Sequence, residues 1–370
     1  MKAQSVALFG AIVFGTSVAQ ARTLPQDGTY ESFQHGYIGI EKYSATCPAI
    51  SGTITIDQHQ LYPENADFDF DNCLLYLGSL FNSSVAIYDP FAEEMVDILE
   101  FDGITHNSAL HLGGVGVDKR TGLVSIVVDA ANPFNTGGSD VSGKNYIILY
   151  DPSTQSVLYN IDLTETTGER YGAFQDVEQD DYGNVYIVGT YPGSILRVEG
   201  GPEDPQVVEW YTSFDPNGQI QTTRIGFSGL AVTGDVLLAN DNNIGEIVRF
   251  DTTAAQGTPT VVPHTPNTQI SASDAIYLPP KYDGTVLLVA ENSAGVSVLR
   301  SQDALWTEAE YLGLIPNNSP DASGGILTAT VQIGESIYMV EEFFSDSFNG
   351  AGTRAQFPLV DITAQVEALL

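Results

Sequence analysis

The chain has 370 residues, of which 43% are hydrophobic and 10% aromatic, so it can build a large apolar core. Its 13 basic residues stand against 47 acidic ones, which gives a formal net charge of −34. A surface of that sign repels nucleic acid and anionic membranes, so neither is expected as a partner, and the aromatic content argues against intrinsic disorder. The simplest role of the acidity is solubility.

The first 21 residues have the features of a secretory signal peptide. Lys2 supplies a positive start, residues 6–14 form a short apolar run, and Ala19-Gln20-Ala21 has the small-x-small pattern of a cleavage site. The apolar run is too short to span a membrane, and we expect no other membrane span. The sequence therefore predicts cleavage after Ala21 and a single domain over residues 22–370 that passes through the secretory pathway.

Two features fit an oxidising compartment. A disulfide between Cys47 and Cys73 would close a loop of about 26 residues and contribute on the order of 3 kcal/mol. Two free buried thiols are the alternative, and a zinc site lacks further ligands nearby. The sequons at Asn82 and Asn317 are candidate glycosylation sites, the second weakened by the proline that follows it at Pro320.

One pattern recurs six times along the chain. Each copy has a small or acidic residue, alternating apolar positions, a turn centred on glycine, and a second apolar run. The copies occupy residues 67–79, 114–128, 176–189, 229–240, 274–292 and 325–342. Their starts lie roughly 45 to 60 residues apart, which is typical of β-propeller blades rather than helical repeats.

Further strands are predicted after these copies. The expected third strands are at residues 84–90, 145–152, 194–200, 246–252 and 296–301, and the expected fourth strands at 95–101, 156–163, 206–212 and 260–265. No long helix is predicted before the last ten residues. The sequence therefore predicts an all-β, six-bladed β-propeller with four-stranded blades. A β-sandwich offers no reason for so long a period, and a β-helix repeats faster.

A strand near the N-terminus is expected to complete the last blade and close the ring, within residues 36–43 or 53–57. The loops before the inner strands and after the second strands of a propeller meet at one end of the central channel. This end would suit an apolar small molecule with a few polar groups. The candidate site residues are Arg224, His111, Tyr191, His106, Glu291, Asn107, Phe134, Phe174, Gln175, Phe227, Asn240, Asn242, Ser273, Asn292, Glu341 and Phe343.

Motifs of covalent or nucleotide chemistry are absent from the sequence. It contains no G-x-S-x-G elbow, no H-E-x-x-H and no Walker loop, and the GGVGVD run at 113–118 shares only glycines with a dinucleotide fingerprint. Asn240, Asp241, Glu291 and Glu341 could form a Ca²⁺ site at the channel mouth, a geometric possibility rather than a motif. No cofactor and no metal is expected.

Two long runs carry a resemblance to a known family. HLGGVGVDKRTGLVSIVVDAANPF at 111–134, the insert up to Lys144, and AFQDVEQDDYGNVYIVGTYPGSILRV at 173–198 resemble secreted fungal propeller proteins encoded in terpenoid gene clusters. One branch is the trichothecene-cluster propeller protein, and another comprises hetero-Diels-Alderases that join tropolone units to humulene-type sesquiterpenes. The resemblance covers essentially the whole mature chain and carries over no catalytic residue by motif.

This resemblance implies a cofactor-independent pericyclase of fungal meroterpenoid biosynthesis. Such an enzyme would hold a tropolone o-quinone methide face to face with a humulene-type alkene. Under that hypothesis Arg224, His111 and Tyr191 would donate to the ketone oxygen. His106 or Glu291 would assist the loss of water that forms the quinone methide. Four phenylalanines would shape the apolar half of the site: Phe134, Phe174, Phe227 and Phe343.

Two other functions remain open at this stage. One is a Ca²⁺-dependent lactonase or esterase of the gluconolactonase type, which would require a bound divalent ion. The other is a secreted propeller that binds a terpenoid or a carbohydrate without catalysis. A cycloaddition needs no nucleophile, so a pericyclase and a binding protein share the same sequence features.

Overall fold

The computed structural model describes residues 47–347 and 350–370. The predicted signal peptide at 1–21 and the alternative closing strand at 36–43 lie outside the described residues. Within the described ranges the chain forms six sheets, each with at least four strands, and all but one short outer strand pair antiparallel. The prediction of a six-bladed β-propeller is therefore confirmed.

The chain begins with a strand of the last blade and then forms the first three blades in order. The opening strand is β1 (Ile54–Asp57). Blade 1 contains β2 (Pro63–Asp69), β3 (Leu74–Ser79), β4 (Ser84–Asp89) and β5 (Glu94–Leu99). Blade 2 contains β6 (Leu110–Val117), β7 (Val124–Ala130), β8 (Tyr146–Asp151) and β9 (Ser156–Asp162). Blade 3 contains β10 (Gly172–Gln179), β11 (Val185–Tyr191), β12 (Ser194–Glu199) and β13 (Gln206–Thr212).

The other three blades follow the same plan with one variation. Blade 4 contains β14 (Phe227–Thr233), β15 (Val236–Asp241), β16 (Glu246–Asp251) and β17 (Thr260–Val261). Blade 5 contains β18 (His264–Thr265), β19 (Ser273–Tyr277), β20 (Val286–Glu291), β21 (Gly295–Arg300) and β22 (Ala309–Pro316). Blade 6 contains β23 (Ile326–Ile333), β24 (Ser336–Glu342), β25 (Gln356–Asp361) and β1.

Helical segments are short. They are α1 (Ala131–Thr136), α2 (Thr164–Thr167) and α3 (Thr363–Leu369), with 3₁₀ turns at Pro280–Tyr282 and Pro320–Ala322. In the part of the chain that the structure describes, none of the helices has the length and apolar character needed to cross a bilayer.

The N-terminal strand closes the ring. β1 pairs antiparallel with β25, with Ile54 opposite Leu359 and Ile56 opposite Phe357. Ile54 and Ile56 are buried while Thr55 and Asp57 are exposed, the alternation expected of a strand with one apolar face. The second of the two closing strands considered from the sequence is therefore the observed one.

The predicted fourth strand at residues 260–265 is wrong as a single strand. Its first two residues, Thr260–Val261, pair with β16 of blade 4. Pro263 then interrupts the pairing, because proline lacks the amide that a ladder requires. The next two residues, His264–Thr265, run parallel to β22 at the outer edge of blade 5. The segment therefore joins two blades rather than finishing one.

A disulfide joins Cys47 to Cys73, as predicted, with a Cα–Cα distance of 5.5 Å. Cys73 lies in the turn between β2 and β3, so the bond ties the segment before β1 to blade 1. This segment leads into the closing strand, so the bond also restrains the seam of the ring.

Replacing both Cys47 and Cys73 by serine is expected to lower the free energy of unfolding by about 3 kcal/mol. The sequence separation is 26 residues, and a cross-link of that span removes loop entropy from the unfolded chain. Urea denaturation of both proteins measures the effect. The parent in reductant serves as the control and should match the double variant. Equal midpoints for the oxidised parent and the variant would contradict the expectation.

Candidate functional site

The mouth of the channel is the end at which the six inner strands β2, β6, β10, β14, β19 and β23 begin and the second strands end. Every inner strand has a β-bulge close to this end, where the register with the second strand shifts. A bulge breaks the regular alternation of side chains and re-aims them. The residues at the six bulges are Glu64, Gly113, Gln175, Ser228–Gly229, Asp274–Ala275 and Thr328.

Two of the bulge glycines let neighbouring inner strands approach each other closely. A Cβ on Gly113 would lie 2.7 Å from the Phe174 carbonyl oxygen, and a Cβ on Gly229 would lie 2.5 Å from the Ile276 nitrogen. Both distances are too short for any side chain, and both involve backbone atoms that cannot swing away. The inner ring is therefore tight at the level of the bulges.

A hydrogen bond crosses the channel directly below the bulges. Asn65 of blade 1 donates from Nδ2 to Oδ1 of Asp176 on blade 3 at 2.8 Å. The other oxygen of Asp176 accepts from the Leu230 amide of blade 4 at 2.9 Å. Asp176 therefore connects blades 1, 3 and 4 one residue beyond the bulge of its own strand, and we call this link the floor of the mouth. Burial raises the pKa of Asp176 to about 7 in spite of these donors.

Four carboxyl groups lie above this floor, and we call them the acid group: Glu64, Asp129, Asp274 and Glu342. Burial raises the pKa of Glu64 well above its usual range, and the charge of Asp274 is the next largest cause, followed by those of Glu342 and Asp129. Glu64 belongs to blade 1 and Asp274 to blade 5, so the two act on each other across the channel. Burial also raises the pKa of Asp274 to about 6.

The acid group contains two more deeply buried members. Burial raises the pKa of both Asp129 and Glu342 well above the usual carboxyl range. Glu342 is 0% exposed, and a hydrogen bond from the Phe343 backbone offsets only part of the effect of burial on its pKa. Neutral carboxylic acids are the expected state of such groups, and a neutral acid can donate a hydrogen bond or a proton.

An aromatic wall adjoins the acid group on the side of blades 6, 1 and 2. It consists of Phe81, His111, Phe134 and Phe344. The His111 ring makes edge contacts with Phe81 and Phe134, each at 5.5 Å between centroids, and Phe134 stacks on Phe344 at 5.6 Å. His111 pairs with Asp129 across the β6–β7 ladder, so both side chains lie on the same face of blade 2. The wall and the acid group therefore share one surface.

His111 lies in this wall as a neutral ring. It is 5% exposed, and burial lowers its pKa to about 4. The imidazole is therefore uncharged near neutral pH, and it offers one donor and one acceptor. Of the candidates proposed from the sequence, His111 and Phe134 are the two that the structure brings together in an apolar contact.

Three phenylalanines proposed as walls of the site lie in the packing between blades instead. Phe174 is 0% exposed, Phe227 2% and Phe343 1%. Phe174 contacts Tyr171, Phe227 stacks on Tyr211, and Phe343 makes an edge contact with Phe357. The sequence analysis placed these residues in loops, whereas Phe174 and Phe227 belong to inner strands.

Four polar candidates join the blades to one another. Asn240 donates to Ser273 Oγ at 2.7 Å and accepts from the Gly229 amide at 2.7 Å. Asn242 exchanges hydrogen bonds with the backbone of Ser273. Asn292 donates to Asp274 Oδ2 at 3.1 Å and to the Leu327 carbonyl at 3.0 Å. Of these residues, Asn292 is the one that touches the acid group.

The two carboxylates proposed for the site, Glu291 and Glu341, are in different environments. Glu291 accepts from Ser297 Oγ and from the Ser271 amide, so its oxygens are occupied. Glu341 is 0% exposed, and burial raises its pKa to about 7. Gln175, a bulge residue, accepts from Thr190 Oγ1 at 2.7 Å.

The proposed donors other than His111 are spread around the rim. Arg224 is exposed and donates to Asn243 Oδ1 at 2.6 Å. His106 is exposed and lies 3.5 Å from Glu100, which follows the outermost strand of blade 1. Asn107 caps its own turn by accepting from the Ala109 amide. None of these three contacts is with a member of the acid group.

Tyr191 ends β11 and is half-buried, and burial raises the pKa of its hydroxyl. Its ring lies against Gly138, where a Cβ would come within 2.5 Å of Cδ1. The tyrosine thus packs on the loop that follows α1. The structure does not pair it with His111 or Arg224.

The candidate Ca²⁺ ligands are not gathered into one site. In residues 47–347 and 350–370, no group of three or more His, Cys, Asp or Glu side chains has an arrangement that could hold a metal ion. Asn240 and Glu291 are occupied by the hydrogen bonds described above. Of the two sequon asparagines, Asn82 donates to the Gln60 carbonyl at 2.9 Å and Asn317 is half-buried, and glycosylation at both stays a prediction.

Sequence analysis missed Glu64 and Asn65. The first repeat was read from Asp67, so the start of β2 fell outside the pattern. A run of polar residues directly before an apolar alternation, PEN at 63–65, is the only signal that could have marked it. Asp129, Asp274, Glu342, Phe81 and Phe344 are among the residues that the repeat places at this end of the channel, but the sequence assigns them no role in binding or catalysis.

Comparisons with known proteins agree with this architecture. No model of a known protein family matches the chain. Over 342 residues it is 38% identical to trichothecene biosynthesis protein 14 of Trichoderma arundinaceum, which covers 88% of this chain and 92% of that protein. It is 30% identical to the core trichothecene cluster protein 14 of Fusarium sporotrichioides, with 88% of each chain covered.

Solved structures share the fold. The major allergen Mala s 1 of Malassezia sympodialis superposes with a TM-score of 0.70 at 20% identity, covering 85% of this chain and 96% of the allergen. A gluconolactonase from Xanthomonas campestris superposes with a TM-score of 0.52 at 14% identity, covering 84% and 89%. At these identities the likeness extends to the propeller architecture alone.

Proposed function

This chain belongs to the trichothecene cluster protein 14 family, and we propose that it is a cofactor-independent hetero-Diels-Alderase. Its proposed substrates are a tropolone o-quinone methide and a humulene-type sesquiterpene alkene, which it joins in the secondary metabolism of a fungus. The observation that carries the proposal is the aromatic wall beside buried carboxyl groups whose pKa values burial raises. Such a surface suits an apolar molecule with a few oxygen atoms.

The proposed mechanism uses binding and hydrogen bonding. The half-buried rings of Phe134 and Phe344 offer stacking faces to two flat or unsaturated partners. Holding them face to face replaces an encounter in solution by a reaction within one complex, which can lower the barrier by several kcal/mol. His111 or a protonated acid would donate to the ketone oxygen of the diene and stabilise the charge that develops there. No covalent intermediate and no metal is invoked.

Secretion is part of the same proposal. The disulfide between Cys47 and Cys73 is compatible with an oxidising compartment, and the −34 charge suits a soluble secreted protein. Intact-mass measurement of the protein from a fungal host tests for cleavage after Ala21 and for a glycan at Asn82.

Replacing Phe134 or Phe344 by alanine is expected to yield mixed stereoisomers with a rate loss below about 100-fold. Without one face of the wall, the two partners can meet in more than one orientation. The measurement is product chirality and initial rate with a humulene-type alkene and a tropolone quinone-methide precursor. Phe214→Ala is the matched control, because Phe214 is 53% exposed in the loop after β13.

Two outcomes would count against this proposal. If both wall variants keep one isomer at the parental rate, the reaction takes place elsewhere. If the parent binds the partners but forms product no faster than the uncatalysed mixture, the protein is a binding protein for terpenoids. Loss of parental turnover on chelation, restored by Ca²⁺, would instead support a metal-dependent hydrolase.

A further inference from the structure

We infer that Glu64 and Asp274 form an acid–base pair that removes water from a hydroxylated substrate at the channel mouth. Glu64 is the proton donor and Asp274 the proton acceptor. The inference rests on the proposed function, since it supplies the step that generates the reactive diene. It replaces His106 and Glu291, the two residues considered for this role from the sequence.

The position of the two carboxyls in the fold supports this assignment. Each is a bulge residue of an inner strand, Glu64 in β2 and Asp274 in β19, so both lie at the same level of the channel. The bulges take both side chains out of the regular alternation. Blade 6 lies between blades 1 and 5 on one side, so the two carboxyls share no strand pairing, and Asp274 exerts the largest effect of any charge on the pKa of Glu64.

Little positive charge acts on the acid group: the charge of Arg354 lowers the pKa of Glu342, but burial has the larger, opposite effect. Among the described residues, none of the ion pairs involves Glu64, Asp129, Asp274 or Glu342. Lys119 pairs with Asp67, which is not a member of the acid group. Burial outweighs the hydrogen bond that the Phe343 backbone donates to the fully buried Glu342. A proton or a donor of a bound ligand would satisfy Glu64 Oε2, which has no partner within the described residues.

The surroundings distinguish the two members of the pair. Asn292 donates to Asp274 Oδ2 at 3.1 Å, which favours the ionised form of Asp274. Oε2 of Glu64 is buried and has no partner within the described residues. The other titratable groups that act on Glu64 are Glu342 and Asp129, both acids, and His111, which lies opposite Asp129, is neutral. The hydrogen bond to Asp274 and the negative charges around Glu64 both favour a proton on Glu64 rather than on Asp274.

The proposed step balances within the pair. Glu64 donates its proton to the oxygen of a hydroxymethyl group, the C–O bond breaks, and its electron pair leaves with water. The neighbouring ring hydroxyl loses its proton to Asp274, and the freed electron pair forms the C=O bond of the quinone methide while the ring electrons form the exocyclic C=C bond. The pair begins and ends with one proton, which returns from Asp274 to Glu64. No oxidant or reductant is needed.

The decisive experiment compares two substrates in the Glu64→Gln variant. With a hydroxymethyl tropolone as precursor, the rate of adduct formation should fall by about 100-fold or more, the usual contribution of a general acid. With the quinone methide released chemically in the assay, the rate should stay within about 3-fold of the parent, because the acid step is bypassed. Glu335→Gln is the control, since Glu335 is exposed in the β23–β24 turn.

Asn292→Ala tests the positioning of the acceptor. Without the amide donor, the pKa of Asp274 should rise further above about 6. The acidic limb of the pH–rate profile should therefore move to higher pH for the hydroxymethyl precursor and stay in place for the released quinone methide. A uniform loss of rate at every pH would reduce Asn292 to a structural role.

Two results would overturn the inference. One is an equal loss of rate by Glu64→Gln with both substrates, or no loss with either. The other comes from unfolding in urea at about pH 6, where the parent should release one proton more than Glu64→Gln, because a free glutamic acid has a pKa near 4.3. Equal proton release shows that Glu64 carries no proton. This second measurement needs no turnover. If the parent has no Diels-Alderase activity, the proposed function is wrong, and proton release still decides whether Glu64 is protonated.

Discussion

Gly229→Ala is expected to destabilise the protein by about 3 kcal/mol or more. The new Cβ would lie 2.5 Å from the Ile276 nitrogen and 2.8 Å from the Ala275 Cα. Both are backbone atoms of the next inner strand, so no side-chain rotation relieves the contact. The inner strands must move apart, which opens the seam between blades 4 and 5. Urea denaturation of the two proteins measures the loss as a lower midpoint.

Gly172→Ala is the matched control for this prediction. Gly172 also lies in an inner strand, but a Cβ there would meet nothing closer than 3.6 Å, an ordinary contact. It should change the free energy of unfolding by less than about 1 kcal/mol. Because Ala275 adjoins Asp274 at the same bulge, Gly229→Ala should also reduce turnover. Equal stability of the two variants would show that the inner ring is looser than the structure indicates.

The fold could be predicted from the sequence because every blade requires the same pattern of buried strands and polar turns. An inner strand and a second strand, each buried on both faces, produce two apolar runs around a polar turn, and six copies of that pattern set the number of blades. The closing strand was harder to place, since Ile54 and Ile56 supply only two apolar positions. The segment 260–265 was misread because its apolar residues serve two blades.

The site was harder to predict because bulges carry no periodic signal. A bulge adds one residue without changing the apolar count, so the pattern around Phe174 and Phe227 does not show that the inner strand has already begun. Those phenylalanines were therefore placed in loops, although they are core residues. The sequence also does not show which acidic side chains are buried. Glu64 looks like an ordinary acid among 47, and only the fold shows that it is desolvated beside Asp274, Glu342 and Asp129.

The free energy of unfolding is expected to rise by several kcal/mol as the pH falls from about 8 to about 5. Burial raises the pKa of Asp176 and Glu341 to about 7 and that of Asp274 to about 6. The unfolded chain has ordinary carboxyls with pKa values near 4, so the folded state binds more protons in this window. Stability therefore increases as these groups are protonated, and each pKa unit corresponds to about 1.4 kcal/mol.

Stability should pass through a maximum near pH 5. Carboxyls such as Asp162 and Asp346 have lowered pKa values, because Lys144 and Arg354 donate to their charged forms. Their contribution is present above the unfolded pKa and is lost as the pH falls through their folded values. Below about pH 4 this loss should exceed the remaining gain from the buried acids.

High salt distinguishes two causes of this pH dependence, repulsion among surface carboxylates and desolvation of buried ones. At about 1 M salt the Debye length is near 3 Å, so repulsion among surface carboxylates is screened while the desolvation of buried ones persists. Urea midpoints at pH 5 and 8 should therefore still differ in high salt. Glu341→Gln should reduce the difference, because it removes a buried group that titrates in the window, and Glu335→Gln should not. If high salt abolishes the difference between the urea midpoints at pH 5 and 8, the pH dependence comes from the net charge of the surface. Asp176, Asp274 and Glu341 then ionise as freely as they would in water.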